Sequence, residues 1–473
     1  MRIRQDTVVA IVFVAAMFMN IMDATIVNTA LPSIARDFRA SITSVDWVVI
    51  GYLLSLSLWI PAAGWLGDRI GTRTVFLASL AIFTTASALA GLSQSLGQLV
   101  AFRILQGIGG GILTPVGQAM LYRAFPPEKR ARASAILLVP TVLAPATGPV
   151  IGGLLVDQLS WRWCFYVNVP LGVLALVFGL LFLHQHQEPR IGGFDWMGFL
   201  LSGFGLALFV YALSEGATDG WGSPVILAPG LLGLILLAIM VQVELRRAHP
   251  MISLSLLRHR LFRTTNLVSL FGSAAFMGVL FAMPQFLQEA RGASALSSGL
   301  TTFPEAVGVI LSSRLVARLY PKIGPRRLMF GGLLGVTGAI LCLATIHLGT
   351  SQWWIRLFMF LVGAGMAYQI LPLQAASFSE ISSADTGRAS SLFNTQRQIA
   401  GTLGVSVLAT VIAASLSIHP GAAPHIVVDA YRHAFMAAAV LAAAAAGIAL
   451  QVHDEDAYAT MGRQPVEKRS SSA

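Results

Sequence analysis

Apolar stretches about 20 residues long recur from one end of this 473-residue chain to the other, and that is the length a helix needs to cross the hydrocarbon of a bilayer. They centre within 8–30, 44–63, 74–93, 97–121, 134–156, 165–183, 196–214, 225–243, 264–287, 298–317, 328–348, 354–376, 391–415 and 432–451. Lipid offers backbone groups no partner, so each stretch must close its own hydrogen bonds as a helix. The expectation is an all-α membrane protein with fourteen spans. The limits of spans eleven to fourteen are soft, and twelve is the competing count. Composition agrees: 56% of residues are hydrophobic and 11% charged, where a soluble domain carries about 25% charge. A soluble enzyme, a disordered chain and a disulfide scaffold are poor readings, the last also because Cys164 and Cys342 are the only cysteines. The start Met1-Arg2-Ile3-Arg4 resembles a signal peptide's basic end. The apolar run continues to about Ala30 without a small-residue cleavage site, so a retained helix is expected.

The net charge of +10 is compatible with nucleic acid, anionic lipid or simple membrane topology. Its distribution selects the last. With the N-terminus inside, cytoplasmic segments hold twenty-two of the 31 lysines and arginines, among them Arg69, Arg73, Arg123, Arg130, Arg190, Arg326 and Arg463. Six face outward, and Arg103, Arg314 and Arg397 remain inside spans. This asymmetry follows the positive-inside rule and expects both termini on the cytoplasmic side of the inner (plasma) membrane.

The chain also repeats itself. Gly64-Trp65-Leu66-Gly67-Asp68-Arg69-Ile70-Gly71-Thr72-Arg73 lies between spans two and three. At an offset of 253 residues, Ala317-Arg318-Leu319-Tyr320-Pro321-Lys322-Ile323-Gly324-Pro325-Arg326 takes the same place between spans ten and eleven. The same offset pairs Arg103 with Arg356, Gly110 with Gly363 and Gly148 with Gly401. General likeness between apolar helices does not put charged residues in register. Spans one to six therefore repeat as nine to fourteen, with seven and eight inserted. An even number of spans separates the copies, so both cross in the same sense, a transporter architecture with its site between the halves. The expected units are an N-terminal six-helix bundle (1–187), the inserted pair (188–250), a C-terminal six-helix bundle (251–451) and a cytoplasmic tail (452–473).

Three groups of residues carry a family likeness. Gly64 to Arg73 is read as a short cytoplasmic turn: Gly64 and Gly67 permit close approach, Asp68 accepts from an arginine or a helix N-terminus, and Arg69 and Arg73 anchor the turn beside Gly71. It resembles the signature loop of the major facilitator superfamily. The second copy has Pro321 in place of Asp68, so a gate-like charge contact is expected on one side only. In span five, Ala144-Pro145-Ala146-Thr147-Gly148-Pro149-Val150-Ile151-Gly152-Gly153 permits a kink and tight packing. It resembles the antiporter motif of that superfamily, with Ala144 where glycine is usual. Finally, Met22-Asp23-Ala24-Thr25-Ile26-Val27-Asn28-Thr29-Ala30-Leu31-Pro32, the Trp161 to Pro170 segment and Phe194-Asp195-Trp196-Met197-Gly198 are similar to the EmrB/QacA-type drug:proton antiporters, the fourteen-span branch. That resemblance runs along essentially the whole chain. It implies the major facilitator fold and proton-driven export of amphipathic small molecules by alternating access, with a periplasmic adaptor protein as a candidate partner.

Polar residues inside spans supply the candidate site. A carboxylate in a span is costly, so Asp23 is read as a proton carrier, against the alternative of a polar bond to a neighbouring helix. Arg103 must face a cavity or a partner, or else snorkel outward, and the resemblance associates it with proton coupling. The glycines from Gly107 to Gly111 are read as helix packing. Glu305, after Pro304, is either a second carrier or a partner for Arg314. Asn28, Gln106 and Arg397 are the candidate cavity residues, Arg397 also being open to packing or snorkelling. Bases outnumber acids inside the spans, so an organic anion or metabolite is the alternative cargo, and proton-coupled uptake the alternative direction. His184 and His186, like His419 and His425, lack further metal ligands. With no GxxxxGK[ST] loop and no G-x-S-x-G turn, neither ATP, nor a cofactor, nor enzymatic activity is expected.

Overall fold

The computed structural model describes residues 4–185, 193–247, 250–417 and 424–461. His186, Arg190, His419 and the tail beyond 461, including Arg463, lie outside the described residues. Among those described there is no strand. The first repeat comprises α1 (Gln5–Phe38), α2 (Trp47–Trp59), α3 (Ala63–Ile70), α4 (Thr72–Gly91), α5 (Leu96–Ala124), α6 (Arg130–Gln158) and α7 (Asn168–Phe182). The inserted pair is α8 (Trp196–Asp219) and α9 (Pro224–Glu244). The second repeat comprises α10 (Arg260–Gln285), α11 (Ala295–Thr302), α12 (Pro304–Ile323), α13 (Pro325–Leu343), α14 (Gln352–Ser377), α15 (Thr386–Ser417) and α16 (Pro424–Ala449), followed by the short α17 (Tyr458–Met461).

Twelve described helices, not fourteen, are long and apolar enough to cross a membrane, or thirteen if α2 and α3 form one span bent by 55°. The expected second span is interrupted at Ile60, Pro61 and Ala62, where proline removes a helix donor. The 29-residue α6, over the fifth expected stretch, stands outside that count. The outside of the bundle is apolar: Leu174, Leu181 and Val440 are 69%, 70% and 68% exposed. Water would penalise such a surface, whereas lipid tails solvate it.

Two large apolar cores form inside. One is built from the first repeat around Phe13, Phe76, Phe83 and Leu113; the other, from the second repeat, surrounds Met283, Phe286, Met359 and Phe435. Tyr122 of α5 crosses between the repeats and joins Phe262, Phe378 and Phe393, its ring centroid 4.5 Å from that of Phe378. The inserted pair leans on the first repeat, with Trp59 on Phe199 at 5.1 Å, and Trp221 Nε1 donates to Thr410 Oγ1 of α15 at 2.9 Å.

The segment read as a turn from Gly64 to Arg73 is helical as far as Ile70. Only Gly71 turns the chain, at φ +107°, and Gly324 does the same in the second copy at +90°; side chains with a Cβ rarely adopt either. Each turn is closed by a residue following its repeat's last long helix. Gln185 Nε2 donates to Thr74 Oγ1 at 2.8 Å, and Asp454 Oδ1 accepts from Arg326 N at 2.9 Å. This face of the bundle, carrying Arg69, Arg73 and Arg326, is the basic face.

Candidate functional site

Glycines let the helices around Asp23 come within reach of one another. A Cβ on Gly107 would lie 2.6 Å from Tyr52 O, and one on Gly109 would lie 2.6 Å from Ser79 O, so α5 packs directly on α2 and α4. The glycine run thus serves packing. It places Arg103 beside α1, where Nη1 donates to Asp23 Oδ2 at 2.6 Å and to Gln106 Oε1 at 2.7 Å. Arg103 Nε donates to Val48 O at 3.1 Å, and the guanidinium lies 4.1 Å from the centroid of the Tyr52 ring. The other oxygen of Asp23 accepts from Gln106 Nε2 at 2.9 Å and from Asn168 Nδ2 at 2.8 Å. Asn168 also donates to Ser87 Oγ at 3.1 Å. Asp23 and Arg103 are each 0% exposed. Snorkelling of Arg103 is thereby excluded.

A buried pair of this kind stabilises little against an apolar replacement, but removing one partner strands a charge at a cost of about 3–5 kcal/mol. Removing a neutral donor to a charged group costs about 1.5–3 kcal/mol. Arg103→Ala is therefore expected to lower the thermal stability of the purified protein more than Asn168→Ala. Equal losses, or the reverse order, would contradict this assignment of charge.

A second arrangement closes the basic face between the repeats. Gly64 N donates to Ser391 Oγ at 2.7 Å, and a Cβ on Gly64 would lie 2.5 Å from Gly387 O. Asp68 sits over the first turn of α15, where a Cβ on Gly387 would lie 2.5 Å from its Oδ1; helix N-termini favour such a carboxylate. Arg123 Nη2 donates to Asp68 Oδ1 at 2.7 Å and its Nε to Ser383 O at 3.1 Å. Arg130 Nη1 donates to Phe378 O, and Asn394 Nδ2 of α15 donates to Gln118 Oε1 of α5. Arg73 instead works within its own repeat, donating to Leu180 O at 2.6 Å, while Arg69 is exposed. Pro321 lies inside α12 and offers no carboxylate, so the Asp68 contact has no counterpart at that position.

The antiporter-like segment packs α6 on α1. Cβ atoms on Gly148 and Gly152 would collide with Thr25 Oγ1 and Thr29 Oγ1, whereas Gly153 faces open space. Pro145 is half-buried, and the side chain of Pro149 lies outside the described set. The motif thus grips α1 two residues beyond Asp23.

The structure brings Asp23, Arg103 and Gln106 together and leaves the other candidates apart. Asn28 is exposed on α1. Glu305 is buried, and its Oε1 has no hydrogen-bond partner among the described residues. Arg314, read as its alternative partner, is exposed and does not pair with it. Arg397 stands on α15, half-buried. Asn168, Ser87 and Tyr52 were not legible as parts of the Asp23 cluster. Asn168 is the first residue of α7, and only the packing of α7 on α1 and α4 makes it a ligand of the carboxylate. No group of three potential metal ligands occurs among the described residues.

The membrane-length apolar helices, the buried ion pair and the lock at one face belong to a multi-pass membrane protein, a transporter rather than an enzyme by the family it matches. The sequence model described as Major Facilitator Superfamily matches residues 13–405, and the chain belongs to that superfamily. It is 34% identical over 400 residues to the multidrug transporter protein MdtP of Bacillus subtilis, covering 84% of this chain and 74% of that one. It is 31% identical over 408 residues to the multidrug resistance protein B homolog of Mycobacterium tuberculosis, covering 85% and 75%. It is also 31% identical over 441 residues to the puromycin resistance protein pur8 of Streptomyces alboniger, covering 91% and 87%. The crystal structure of the human organic anion transporter MFSD10 superposes with a TM-score of 0.66 at 17% identity, covering 92% of this chain and 99% of that one. At that identity the likeness speaks for the fold alone.

Proposed function

We propose that the protein is a proton-driven antiporter that exports hydrophobic or amphipathic small molecules, of the EmrB/QacA-type fourteen-span branch. Relatives named for multidrug transport and resistance support the cargo class. The observation that carries the coupling is the Asp23–Arg103 pair. Every neighbour bonded to the carboxylate is a donor, so a proton on either oxygen would point at an N–H group. Protonating Asp23 therefore requires the cluster to open, and opening moves α1 against α5. Glu305 is the second proton carrier, on the other repeat.

In this reading the repeats are bundles of 1–187 and 251–451 joined by the inserted pair, and they rock about a central cavity lined by residues including Asn28 and Arg397. Gln106 orients Asp23. The basic face is cytoplasmic, with both termini there and the chain in the inner (plasma) membrane, following the lysine and arginine asymmetry. The conformation is then closed to the cytoplasm by the lock at Gly64, Asp68 and Arg123. The test is proton movement in energised everted vesicles across a panel of cationic, neutral and anionic amphipaths. The reading expects substrate-dependent proton release from the vesicle lumen during substrate uptake. Substrate movement in the opposite direction, with protons travelling alongside, would replace it with an uptake symporter.

A further inference from the structure

Once Asp23 holds Arg103, one span arginine is left at the junction of the repeats. Arg314 is exposed on α12, and Arg356 lies 4.7 Å from the centroid of the Trp353 ring near the start of α14. Arg397 sits three residues beyond Asn394, so the two share a helix face. Asn394 donates across to Gln118 of α5, which turns that face toward the other repeat. Arg397 is eleven residues into α15, roughly 16 Å from its basic-face end at 1.5 Å per residue. No carboxylate of the described residues pairs with it. Glu305 is at the far end of α12, eighteen residues from Ile323, or roughly 27 Å from the basic face.

A guanidinium so deep in a span must face a water-filled cavity or a partner that completes it. Unsatisfied amides on three helices of the same repeat point to a ligand as well. Asn266 of α10, 5% exposed, and Gln369 of α14, 1% exposed, each leave an amide oxygen without a partner, and both amide atoms of Gln396, beside Arg397, are unpartnered. Asn266 and Gln369 are six and eight residues from the basic-face ends of their helices, roughly 9–12 Å in. They lie at the depth of the Gln118–Asn394 bridge, roughly 4–8 Å nearer the basic face than Arg397.

We propose that Arg397 determines specificity by binding an anionic head group, a carboxylate or sulfonate, on an otherwise apolar cargo, while the free amide oxygens accept from its hydroxyl or N–H groups. This rests on the exporter reading and names its substrate class. The test uses the full-length protein in lipid nanodiscs and two probes with one ring system and opposite heads, 2-naphthoate and 2-naphthyltrimethylammonium. The wild type is expected to bind the anion at least about tenfold more tightly, the scale of one charge-assisted hydrogen bond. Arg397→Gln is expected to lose that preference through the anion alone, and Arg397→Lys, which keeps the charge, to retain part of it. Equal binding, a preference for the cation, no binding of either probe, or a preference unchanged in Arg397→Gln would each overturn the proposal. Proton coupling without anion preference would defeat this inference alone; anion preference without proton coupling would defeat the antiport reading alone.

Discussion

Gly64→Ala is expected to slow export about tenfold or more while the protein still folds. A Cβ at this position would lie 2.5 Å from Gly387 O and 2.8 Å from Gly387 C. Both are backbone atoms at the start of α15, so neither can rotate aside. Overpacking of that order costs about 1–3 kcal/mol. The cost falls only on the conformation in which the basic face is closed, because separated repeats no longer meet there. A penalty confined to one state shifts its population by about tenfold for each 1.4 kcal/mol. The measurement is labelling of Gln118→Cys by a maleimide applied from the cytoplasmic side, with Cys164 and Cys342 replaced by serine. Gly64→Ala is expected to raise that labelling rate in step with the loss of transport; an unchanged rate would mean that the Gly64–Gly387 contact does not limit closure.

Asp23→Asn is expected to lower pH-gradient-driven export at least about 100-fold and to leave exchange of substrate across the membrane measurable. The amide nearly preserves the shape of the carboxylate but cannot carry a proton between the two sides. It also places an N–H₂ group among Arg103, Gln106 and Asn168, all donors to this side chain, and it strands the charge of Arg103 in a fully buried site. A stability loss of about 3–5 kcal/mol accompanies the change, so the exchange assay is the control that the variant still folds and binds. Loss of exchange together with driven export would assign Asp23 a packing role. Export that follows the pH gradient undiminished would remove it from coupling altogether.

Much of this was legible in the residues, and the failures have physical causes. The apolar runs located the helices because helix length and bilayer thickness are fixed quantities. The register of charged residues at one offset exposed the repeat. Pro61 was visible, but a proline inside an apolar run is often tolerated in a span, so the break between α2 and α3 needed the structure. The Asp23–Arg103 contact joins residues 80 apart in sequence, and which way each helix is rotated is decided by packing, here by the glycines of α5 against α2 and α4. Asn28, five residues from Asp23, turns about 140° away from it at 100° per residue. The Glu305–Arg314 pairing was excluded by the same arithmetic: nine residues along a helix is about half a turn out of phase. The charge asymmetry that marked the basic face also hid the distinction between Arg103, whose charge is internally matched, and Arg397, whose charge is not.

Coupling turns on Asp23 exchanging its proton when cargo binds. Substrate-induced proton release from the purified, detergent-solubilised protein, read with a pH indicator in weakly buffered solution, tests this most directly. The panel compound transported best is expected to release protons from the wild type and fewer by about one per molecule from Asp23→Asn. Equal release from both proteins, with binding intact in each, would contradict it.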